Sequence, residues 1–557
     1  MSRVRHGGVW LVAAPVTLAV FLLNVYPLGW LAVGSVSTRG GIGLDHYREL
    51  FTRFSFASVL VDSWVYALGT TLLALVLGAP LALLVTRTDV PGREGLRLGA
   101  VLAFVSPPWL TAMAYVFLAS PNAGTLNVWL HALIGVKPFN VHSMTGMIVV
   151  SALFLYSFVF LTVESALGAV DGSYEEAARV VGASRWTVLT RVTLPLVTPS
   201  LTTAAVFSFI ISWSLFATPA ILGMPARIYV FATQLYLLLN AFPPKLGLSA
   251  ALAMVFCLSA GLVGLLLWLV RRPAVAGRYA VISGKGHRPA VIPLGRARWP
   301  TAIACWSLTG LAVGLPYLMV LWMSVNTTWF GAPGLANLSL ANYAYVLTEY
   351  PNSGRVVWNS LVLAVTGSAL VLAVGLGVAY LKARTALPGR GLLGAAASYT
   401  VILPSVAFVT GVIWAWIRPP FALYGTLALI ALAQASRVMP IVVSNFGDGL
   451  AQIDRALEEA GTTCGAGRGR VFLGITLPLL RFVTLGTFTL VFLASLRDLN
   501  SPLFLSGGSP DTLTLSVVIF TFWGETRIGE SAAFTVLLLL LTLAIFLPIY
   551  RLFPKAV

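Results

Sequence analysis

Runs of about 20 apolar residues recur along this chain, and they constrain its fold more than any other feature. The chain has 557 residues, of which 58% are hydrophobic and only 10% are charged, and its mean hydropathy is +0.90. A soluble globular protein carries about 25% charged residues, so the solvent of this chain must be lipid. Strand-like alternation of polar and apolar residues is absent, which argues against an outer-membrane β-barrel.

The apolar runs predict an all-α polytopic membrane protein with about 12 transmembrane helices. The expected spans are 9–36, 59–86, 96–119, 144–168, 199–222, 247–270, 299–325, 356–381, 392–417, 424–446, 481–505 and 531–552. The first run follows Arg3 and Arg5, as a signal peptide would, but it is too long for a signal sequence. We interpret it as an uncleaved first span.

Basic residues are concentrated in alternate loops between the predicted spans. Most of the 35 Lys and Arg residues lie in one set of loops, and the positive-inside rule places that set in the cytoplasm. Both termini are then cytoplasmic, in the inner membrane of a bacterium or archaeon. We interpret the net charge of +17 as a topology signal, because no basic patch interleaved with aromatic residues indicates nucleic-acid binding.

The chain contains an internal repeat. The segment Arg87-Thr-Asp-Val-Pro-Gly-Arg93 matches Arg384-Thr-Ala-Leu-Pro-Gly-Arg390 at an offset of 297, and later positions match at an offset of 283. Six spans in each half imply parallel halves related by a pseudo-two-fold axis along the membrane normal, with the pathway between them. The predicted division is a first half, 1–270, a basic cytoplasmic linker, 271–298, and a second half, 299–557.

A polar loop on the predicted cytoplasmic side occurs once in each half. Its copies are Asp171-Gly-Ser-Tyr-Glu-Glu-Ala-Ala-Arg-Val-Val-Gly182, followed by Leu194-Pro-Leu, and Asp454-Arg-Ala-Leu-Glu-Glu-Ala-Gly-Thr-Thr-Cys-Gly465, followed by Leu477-Pro-Leu. Ser173 and Glu176 have the spacing of a capping box, and a glycine ends a helix readily. The pattern predicts a helix, a turn and a second helix at the membrane surface. Capping alone does not require this shared register in two distant loops.

The repeated loop resembles the EAA loop of ATP-binding-cassette (ABC) importer permeases, in which Glu-Ala-Ala is followed by Gly and then by Ile/Leu-X-Leu-Pro. The first copy fits, and the second departs at Gly461, where the family has alanine. The resemblance covers nearly the whole chain and implies that 172–186 and 455–469 are coupling helices, each docked in a cleft of one ATPase subunit. The residues implied in coupling are Glu175, Glu176, Ala177, Ala178 and Gly182 in the first loop and Glu458, Glu459, Ala460, Gly461 and Gly465 in the second.

Further stretches are similar to the fused, two-half permeases of ferric-iron transport. They are Pro219-Ala-Ile-Leu-Gly-Met-Pro225, Leu235-Tyr236 with Pro243-Pro244, and Leu496-Arg-Asp-Leu499 with Leu515-Ser-Val-Val-Ile-Phe520. The resemblance implies the fold of a type I ABC importer and ferric iron as the first candidate substrate. Permeases for thiamine, phosphonate, polyamine or sugar phosphate share this architecture and are alternatives.

The sequence contains no nucleotide-binding P-loop, and the Gly284-Lys285 pair stands alone in the linker. No metal-binding histidine cluster and no pair of catalytic carboxylates stands out. We therefore expect this chain to have no catalytic residue, metal or bound cofactor, with ATP and Mg held by two copies of a partner ATPase. The other expected partners are membrane lipid and a solute-binding protein, either periplasmic or lipid-anchored.

The fifth span of each half supplies the candidates for the translocation pathway. Ionisable groups inside spans are costly and usually face the protein interior, and a proline kinks its helix. The candidates are Trp213, Ser214 and Pro219 in the first half and Arg497, Asp498, Asn500 and Pro502 in the second. Alternatively, an internal charge pair there only fixes helix packing. Glu164 and Arg437, in the fourth spans, are weaker candidates.

Three other functions fit a polytopic chain less well. A secondary transporter can have two parallel halves but needs no repeated Glu-Glu-Ala loop. A sensory or scaffold protein would transport nothing. An exporter of the ABC superfamily usually carries its ATPase in the same chain.

Overall fold

The computed structural model describes residues 7–38, 40–53, 56–275, 291–327, 337–420 and 422–552. Regular structure in these ranges is almost entirely helical, apart from a short hairpin of β1 (Ser37–Thr38) and β2 (Gly41–Ile42). The prediction of an all-α membrane protein is confirmed. Residues 276–290 of the predicted linker lie outside the described ranges.

The α-helices of the described residues follow one another with short breaks. Those before residue 290 are α1 (Gly7–Val20), α2 (Tyr26–Val36), α3 (Asp45–Arg53), α4 (Phe56–Arg87), α5 (Arg93–Val105), α6 (Pro108–Ala119), α7 (Thr125–Ile134), α8 (Met144–Ala169), α9 (Gly172–Val180), α10 (Arg185–Val188), α11 (Leu194–Ser214), α12 (Phe231–Leu239) and α13 (Leu246–Val275). Those after it are α14 (Arg298–Thr309), α15 (Leu315–Ser324), α16 (Ala341–Ala344), α17 (Ser353–Arg384), α18 (Arg390–Ser398), α19 (Ser405–Trp416), α20 (Leu427–Gln452), α21 (Arg455–Thr463), α22 (Arg468–Val471), α23 (Leu477–Leu479), α24 (Arg481–Leu496), α25 (Asn500–Leu505), α26 (Leu515–Gly524) and α27 (Ile528–Leu552).

Nine helical stretches of the described chain are long and apolar enough to cross a membrane. Four more pairs of helices meet the same criteria, but each pair is bent by more than 40° at a short break. Counting each bent pair as one span gives up to 13 spans. The range of nine to 13 includes the predicted number.

Two of the predicted continuous spans are broken in the structure. The prediction of single helices over 96–119 and 392–417 is wrong, because α5 and α6 meet at 101° and α18 and α19 at 115°. The breaks fall at Pro107 and Pro404, whose backbones are extended with ψ of 140° and 133°. Proline lacks an N–H donor and disfavours helix in the residue before it, so each helix restarts after the proline.

The described helices form two compact units. Unit A comprises Arg53–Leu237 and Leu258–Ser339, and unit B comprises Met1–Thr52, Leu238–Cys257 and Leu340–Val557. The first span, formed by α1 and α2, thus belongs to the unit that holds the helices of the predicted second half. The first span of that half, α14 and α15, likewise belongs to unit A. The predicted division of the sequence into two halves stays a prediction.

Each unit is built around a crossing of two long helices, α4 with α8 in unit A and α17 with α20 in unit B. A glycine stands at both crossings. A Cβ atom on Gly78 would lie 2.5 Å from the carbonyl oxygen of Tyr156, and one on Gly375 would lie 2.6 Å from Val442 Cγ1. Small residues let helices approach closely in lipid, where packing rather than the hydrophobic effect holds them together.

A buried asparagine fixes the first span in unit B. Asn24 is fully buried, and its side-chain amide donates a hydrogen bond to the carbonyl oxygen of Ala396 at 2.9 Å. Its side-chain oxygen accepts one from Ser436 at 2.5 Å, and its backbone carbonyl accepts one from the Tyr399 hydroxyl at 2.5 Å. Interhelical hydrogen bonds of this kind supplement packing inside a membrane.

We expect Asn24→Ala to destabilise the protein by about 1–3 kcal/mol, because Ser436 and Ala396 then lose a buried partner. Thermal unfolding of the purified protein, followed by fluorescence-detected size exclusion, measures the effect. Thr366→Ala is the control, because this exposed hydroxyl bonds only to Val362 of its own helix. Equal unfolding temperatures for the two variants would contradict a role of Asn24 in fixing the span.

Candidate functional site

Both repeated loops begin with a short helix that an aspartate caps. The carboxylate of Asp171 accepts the amide of Ser173 at 2.9 Å, and that of Asp454 accepts the amide of Ala456 at 3.0 Å. The prediction of a capping box formed by Ser173 and Glu176 is wrong: the helix starts two residues earlier, at Gly172, so Ser173 already lies inside it. Asp171 supplies the oxygen that the first amides need.

The remainder of each loop confirms the predicted helix, turn and helix. Gly182 and Gly465 turn the chain with φ of 86° and 83°, a left-handed conformation that glycine adopts without a steric penalty. A four-residue helix follows, α10 or α22, and then one π-helical turn, Leu189–Thr193 or Phe472–Thr476. Each π turn ends on a threonine that contacts the first helix of its loop, α9 or α21.

In the first loop, Glu175 forms a buried ion pair with Arg87, the last residue of the long helix α4. Arg87 Nε lies 3.5 Å from Glu175 Oε1, and the two side chains are 1% and 2% exposed. Arg87 Nη2 also donates to the carbonyl oxygens of Leu167 and Val170, at 3.0 and 3.1 Å. Thr193 donates its hydroxyl to Glu175 Oε1 at 2.9 Å. One guanidinium therefore joins the end of α4, the end of α8 and the surface helix α9.

The second loop repeats this arrangement. Arg384 Nε lies 2.9 Å from Glu458 Oε2, and Arg384 Nη2 donates to the carbonyl oxygens of Leu450 and Ile453, at 3.0 and 2.9 Å. Thr476 donates to Glu458 Oε1 at 2.8 Å. Here the end of α17, the end of α20 and the surface helix α21 are joined.

The arginine and the threonine of each loop were not among the residues predicted from the sequence. Two signals in the sequence point to them. Arg87 and Arg384 open matching segments of the repeat, and Thr193 and Thr476 each follow the first glutamate of their loop by 18 residues. Sequence spacing gave no reason to place these three side chains together.

The two adjacent glutamates of each loop face opposite environments. Glu175 and Glu458 turn towards the spans, whereas Glu176 and Glu459 are exposed. Ala177 and Ala460 are exposed as well. The second glutamate of each pair is thus presented on the outer face of its helix.

The outer surface of the first loop is more apolar than that of the second. Its exposed apolar side chains are Tyr174, Val180, Val181 and Trp186, with exposed fractions of 52, 86, 83 and 72%. The matching positions of the second loop are Leu457, Thr463, Cys464 and Gly469. Several exposed apolar side chains close together on one short loop are typical of surfaces that bind another protein.

Gly461, where the second loop departs from the Ala-Ala pattern, packs against the following helix. A Cβ atom there would lie 2.8 Å from Ile475 Cδ1 and 3.2 Å from Val471 Cγ2. The first loop has Ala178 and Val192 at the positions of Gly461 and Ile475. The larger Ile475 side chain in the second loop therefore compensates for the methyl group that Ala178 has in the first loop and Gly461 lacks.

The end of the predicted linker lies over Arg87 and its partners in the first loop. The amide of Ile292 donates to the carbonyl oxygen of Arg87 at 2.8 Å, and the amide of Leu294 donates to Asp89 Oδ1 at 2.8 Å. Arg185 reaches the carbonyl oxygen of Pro293 at 3.2 Å. Beside Arg384, by contrast, a cavity of about 670 Å³ lies next to the second loop. The Arg384 and Glu458 side chains are accordingly 8% and 15% exposed.

The first-half pathway candidates lie at a break after α11. The predicted helix over 199–222 is wrong, because α11 ends at Ser214 and a π-helical turn begins at Pro219. Trp213 is buried in an aromatic cluster of unit A, with ring centroids 5.0 Å from Trp64 and 5.4 Å from Phe209. Pro219 is also buried.

The second-half candidates lie at the matching break. The predicted helix over 481–505 is wrong, because α24 ends at Leu496 and α25 begins at Asn500. Pro502 has no N–H to bond the carbonyl of Asp498, and the Ser516 hydroxyl donates to that carbonyl instead, at 2.7 Å. Asn500 contacts the Ser405 hydroxyl at 2.6 Å.

Asp498, Arg437 and Glu164, charged candidates of the spans, lie in ion pairs. Asp498 Oδ1 lies 2.6 Å from Arg437 Nη1, a contact of the kind expected if the charge pair fixes packing. Arg497, its neighbour, is partly buried. Glu164 pairs with Arg97 of α5. Among the described residues, no three or more His, Cys, Asp or Glu side chains form a group that could hold a metal ion.

We expect Glu175→Gln and Glu176→Gln to differ sharply in stability, although they change adjacent residues in the same way. Breaking a buried ion pair by neutralising one partner costs about 3–5 kcal/mol, so Glu175→Gln lowers the unfolding temperature. Glu176 is exposed, and its substitution leaves that temperature unchanged within about 0.5 kcal/mol of stability. A similar loss in both variants, measured by thermal unfolding in detergent, would show that the burial of Glu175 is not what holds the loop.

Comparison with known proteins places these features in a family. Residues 55–274 match the profile described as binding-protein-dependent transport system inner membrane component. The chain is 23% identical over 517 residues to a Haemophilus influenzae protein that carries the name of a ferric transport system permease, FbpB 1, covering 90% of this chain and 79% of that protein. It is 22% identical over 557 residues to the ferric transport system permease FbpB of Actinobacillus pleuropneumoniae, covering 98% of this chain and 78% of the relative.

A shorter relative is more similar in sequence. The molybdenum transport system permease ModB of Escherichia coli is 31% identical over 206 residues, which cover 34% of this chain and 88% of ModB. The chain therefore belongs to the family of binding-protein-dependent transport system inner membrane components, the permease subunits of ABC importers.

Proposed function

We propose that this chain forms the translocation pathway of an ABC importer and that its two loops couple ATP hydrolysis by two partner subunits to uptake. One observation carries the proposal. In both loops an exposed glutamate, Glu176 or Glu459, directly follows a glutamate that is anchored to the ends of two long helices. One face of each surface helix is thus fixed to the spans, while the other is available to a partner.

The anchor explains how movement of the loop would reach the spans. A displacement of α9 acts through Glu175 on Arg87, and through Arg87 on the ends of α4 and α8. The guanidinium is planar and offers five donors in a fixed geometry, so it resists bending more than a single hydrogen bond would. We assign docking to Glu176 and Glu459, and anchoring to Glu175 and Glu458.

The ATPase subunits and their ligands belong to the same proposal. ATP and Mg would be bound by the partner subunits, because the sequence of this chain lacks a P-loop. Both loops and both termini would lie in the cytoplasm, as the distribution of basic residues predicts. A solute-binding protein would deliver the substrate on the opposite side, which the family description supports.

Ferric iron is the substrate that the relatives support best. Two relatives named as ferric transport permeases align with 90 and 98% of this chain, whereas the molybdenum permease aligns with 34%. The candidate pathway residues would serve to pass the ion rather than bind it tightly. Tight hard-cation ligation would then occur on the binding protein.

Reversing the exposed charges tests the coupling. We expect the double variant Glu176→Arg with Glu459→Arg to fold normally and to lose roughly tenfold or more of the ATPase stimulation, because reversing a charge at a docked interface costs about 2–5 kcal/mol. Proteoliposomes containing the partner ATPase and binding protein give both ATPase activity and uptake. Asp448→Arg, an exposed carboxylate of α20 outside the loops, is the matched control. Uptake by the double variant at the wild-type rate would refute the coupling role.

The substrate is tested separately. We expect proteoliposomes that contain the partner ATPase and the solute-binding protein to take up radioactive ferric iron in an ATP-dependent manner. Unlabelled molybdate, thiamine or polyamine in tenfold excess should leave that uptake unchanged. Inhibition by one of these competitors, or uptake of it without iron uptake, would reassign the substrate and leave the coupling proposal intact.

A further inference from the structure

The first spans of the two halves each contain a π-helical turn. This shared turn aligns the two spans residue by residue. The π-helical segment Phe21–Val25 lies between α1 and α2, and Gly310–Gly314 lies between α14 and α15. In both spans a proline is the second residue of the helix that follows. The offset is 289, so Thr17 of the first span corresponds to Trp306 of the other.

In unit A, Trp306 fills the space between its span and the loop that starts α5. A Cβ atom on Gly92 would lie 2.8 Å from the Trp306 ring, and one on Gly95 would lie 2.6 Å from it. The indole N–H donates to the carbonyl oxygen of Pro91 at 3.3 Å. The two glycines and the indole fit each other without room for a further methyl group.

In unit B, the same place is a cavity. It has a volume of about 360 Å³ and lies between α1 and the start of α18. Its lining includes Thr17, Val20, Phe21, Pro388, Gly389 and Leu392. Pro388 and Gly389 match Pro91 and Gly92 of the repeat, and no heavy atom lies within 4 Å of a Cβ built on Gly389. The exchange of tryptophan for threonine thus opens the space, and Leu392, which stands at the position of Gly95, fills only part of it.

The cavity is apolar inside and basic at its edge. Phe21 and Leu392 are 47% and 77% exposed, so its mouth presents hydrocarbon to the surroundings, which for a membrane span are lipid. Arg390, part of the lining, is exposed, and the exposed Lys382 lies in the last turn of α17. The Lys382 side chain runs along α18, with its Cδ 3.4 Å from a Cβ built on Gly394.

We propose that this cavity binds one anionic phospholipid of the cytoplasmic leaflet, with an acyl chain beside Thr17 and the headgroup phosphate at Arg390 and Lys382. The volume falls in the range of about 300–1,000 Å³ that ligand pockets occupy. An apolar cavity excludes water and accepts a hydrocarbon. Basic clusters at the cytoplasmic ends of spans attract anionic headgroups. The lipid takes the place that the indole of Trp306 holds in unit A.

Native mass spectrometry of the full chain, purified from membranes containing equal amounts of phosphatidylglycerol and phosphatidylethanolamine, tests the proposal. We expect the wild type to retain one phosphatidylglycerol more than the double variant Thr17→Trp with Leu392→Gly, which reproduces the contact of Trp306 with Gly95 in unit A. Leu392→Trp fills it from α18 and should give the same loss. The matched reverse change, Trp306→Thr, should open the second cavity and add one lipid.

The headgroup is tested by Arg390→Gln. This variant should still retain a lipid but prefer phosphatidylglycerol roughly fivefold less, the effect of removing one basic residue near the surface. Equal retention by the wild type and both filled variants would overturn the site. A wild type that retains the two lipids equally would overturn the anionic headgroup, and loss of an adduct other than phospholipid from the filled variants would overturn the assignment to lipid.

Discussion

A buried arginine at the end of a long helix holds each surface loop to the spans beneath it. Arg87 and Arg384 each bond two carbonyl oxygens at the end of a neighbouring helix and one carboxylate on the loop. A cation there also complements the negative end of the helix dipole. The carbonyl oxygens and the carboxylate share one guanidinium, so each loop is bonded to the ends of two long helices at a single point. The proposed coupling through the two loops depends on this junction.

Part of this architecture is predictable from the sequence. The rest depends on contacts and geometry that a local sequence pattern does not determine. Hydropathy predicts the helical membrane fold because lipid allows few alternatives. Pro107 and Pro404 are evident in the sequence. A proline can either kink a span or break it, however, and the periodicity of the apolar residues does not decide between these two outcomes. The membership of the first span in unit B depends on contacts of Asn24 with distant residues, about which a local pattern says nothing. Adjacent glutamates such as Glu175 and Glu176 look alike in sequence, although they point about 100° apart on a helix.

The two copies of the repeat have diverged at specific contacts while their anchors stayed the same. Gly461 faces a larger isoleucine, where the first copy has alanine and valine. The end of the linker covers one anchor, whereas a cavity lies beside the other. In unit A, Trp306 fills the space beside the start of α5. In unit B, Thr17 leaves the corresponding space beside the start of α18 open. The packing around the two loops therefore differs, although their anchors are the same.

The placement of the first span in unit B has a consequence for the order of biosynthesis. The ribosome makes Asn24 first, and its partners Ala396 and Ser436 follow 372 and 412 residues later. At about 5–20 residues per second, that interval is roughly 20–80 s. During it, the asparagine side chain lies in the middle of an apolar helix without these partners, where polar groups are costly. Asn24 therefore gains these hydrogen-bond partners only after most of the chain has been translated.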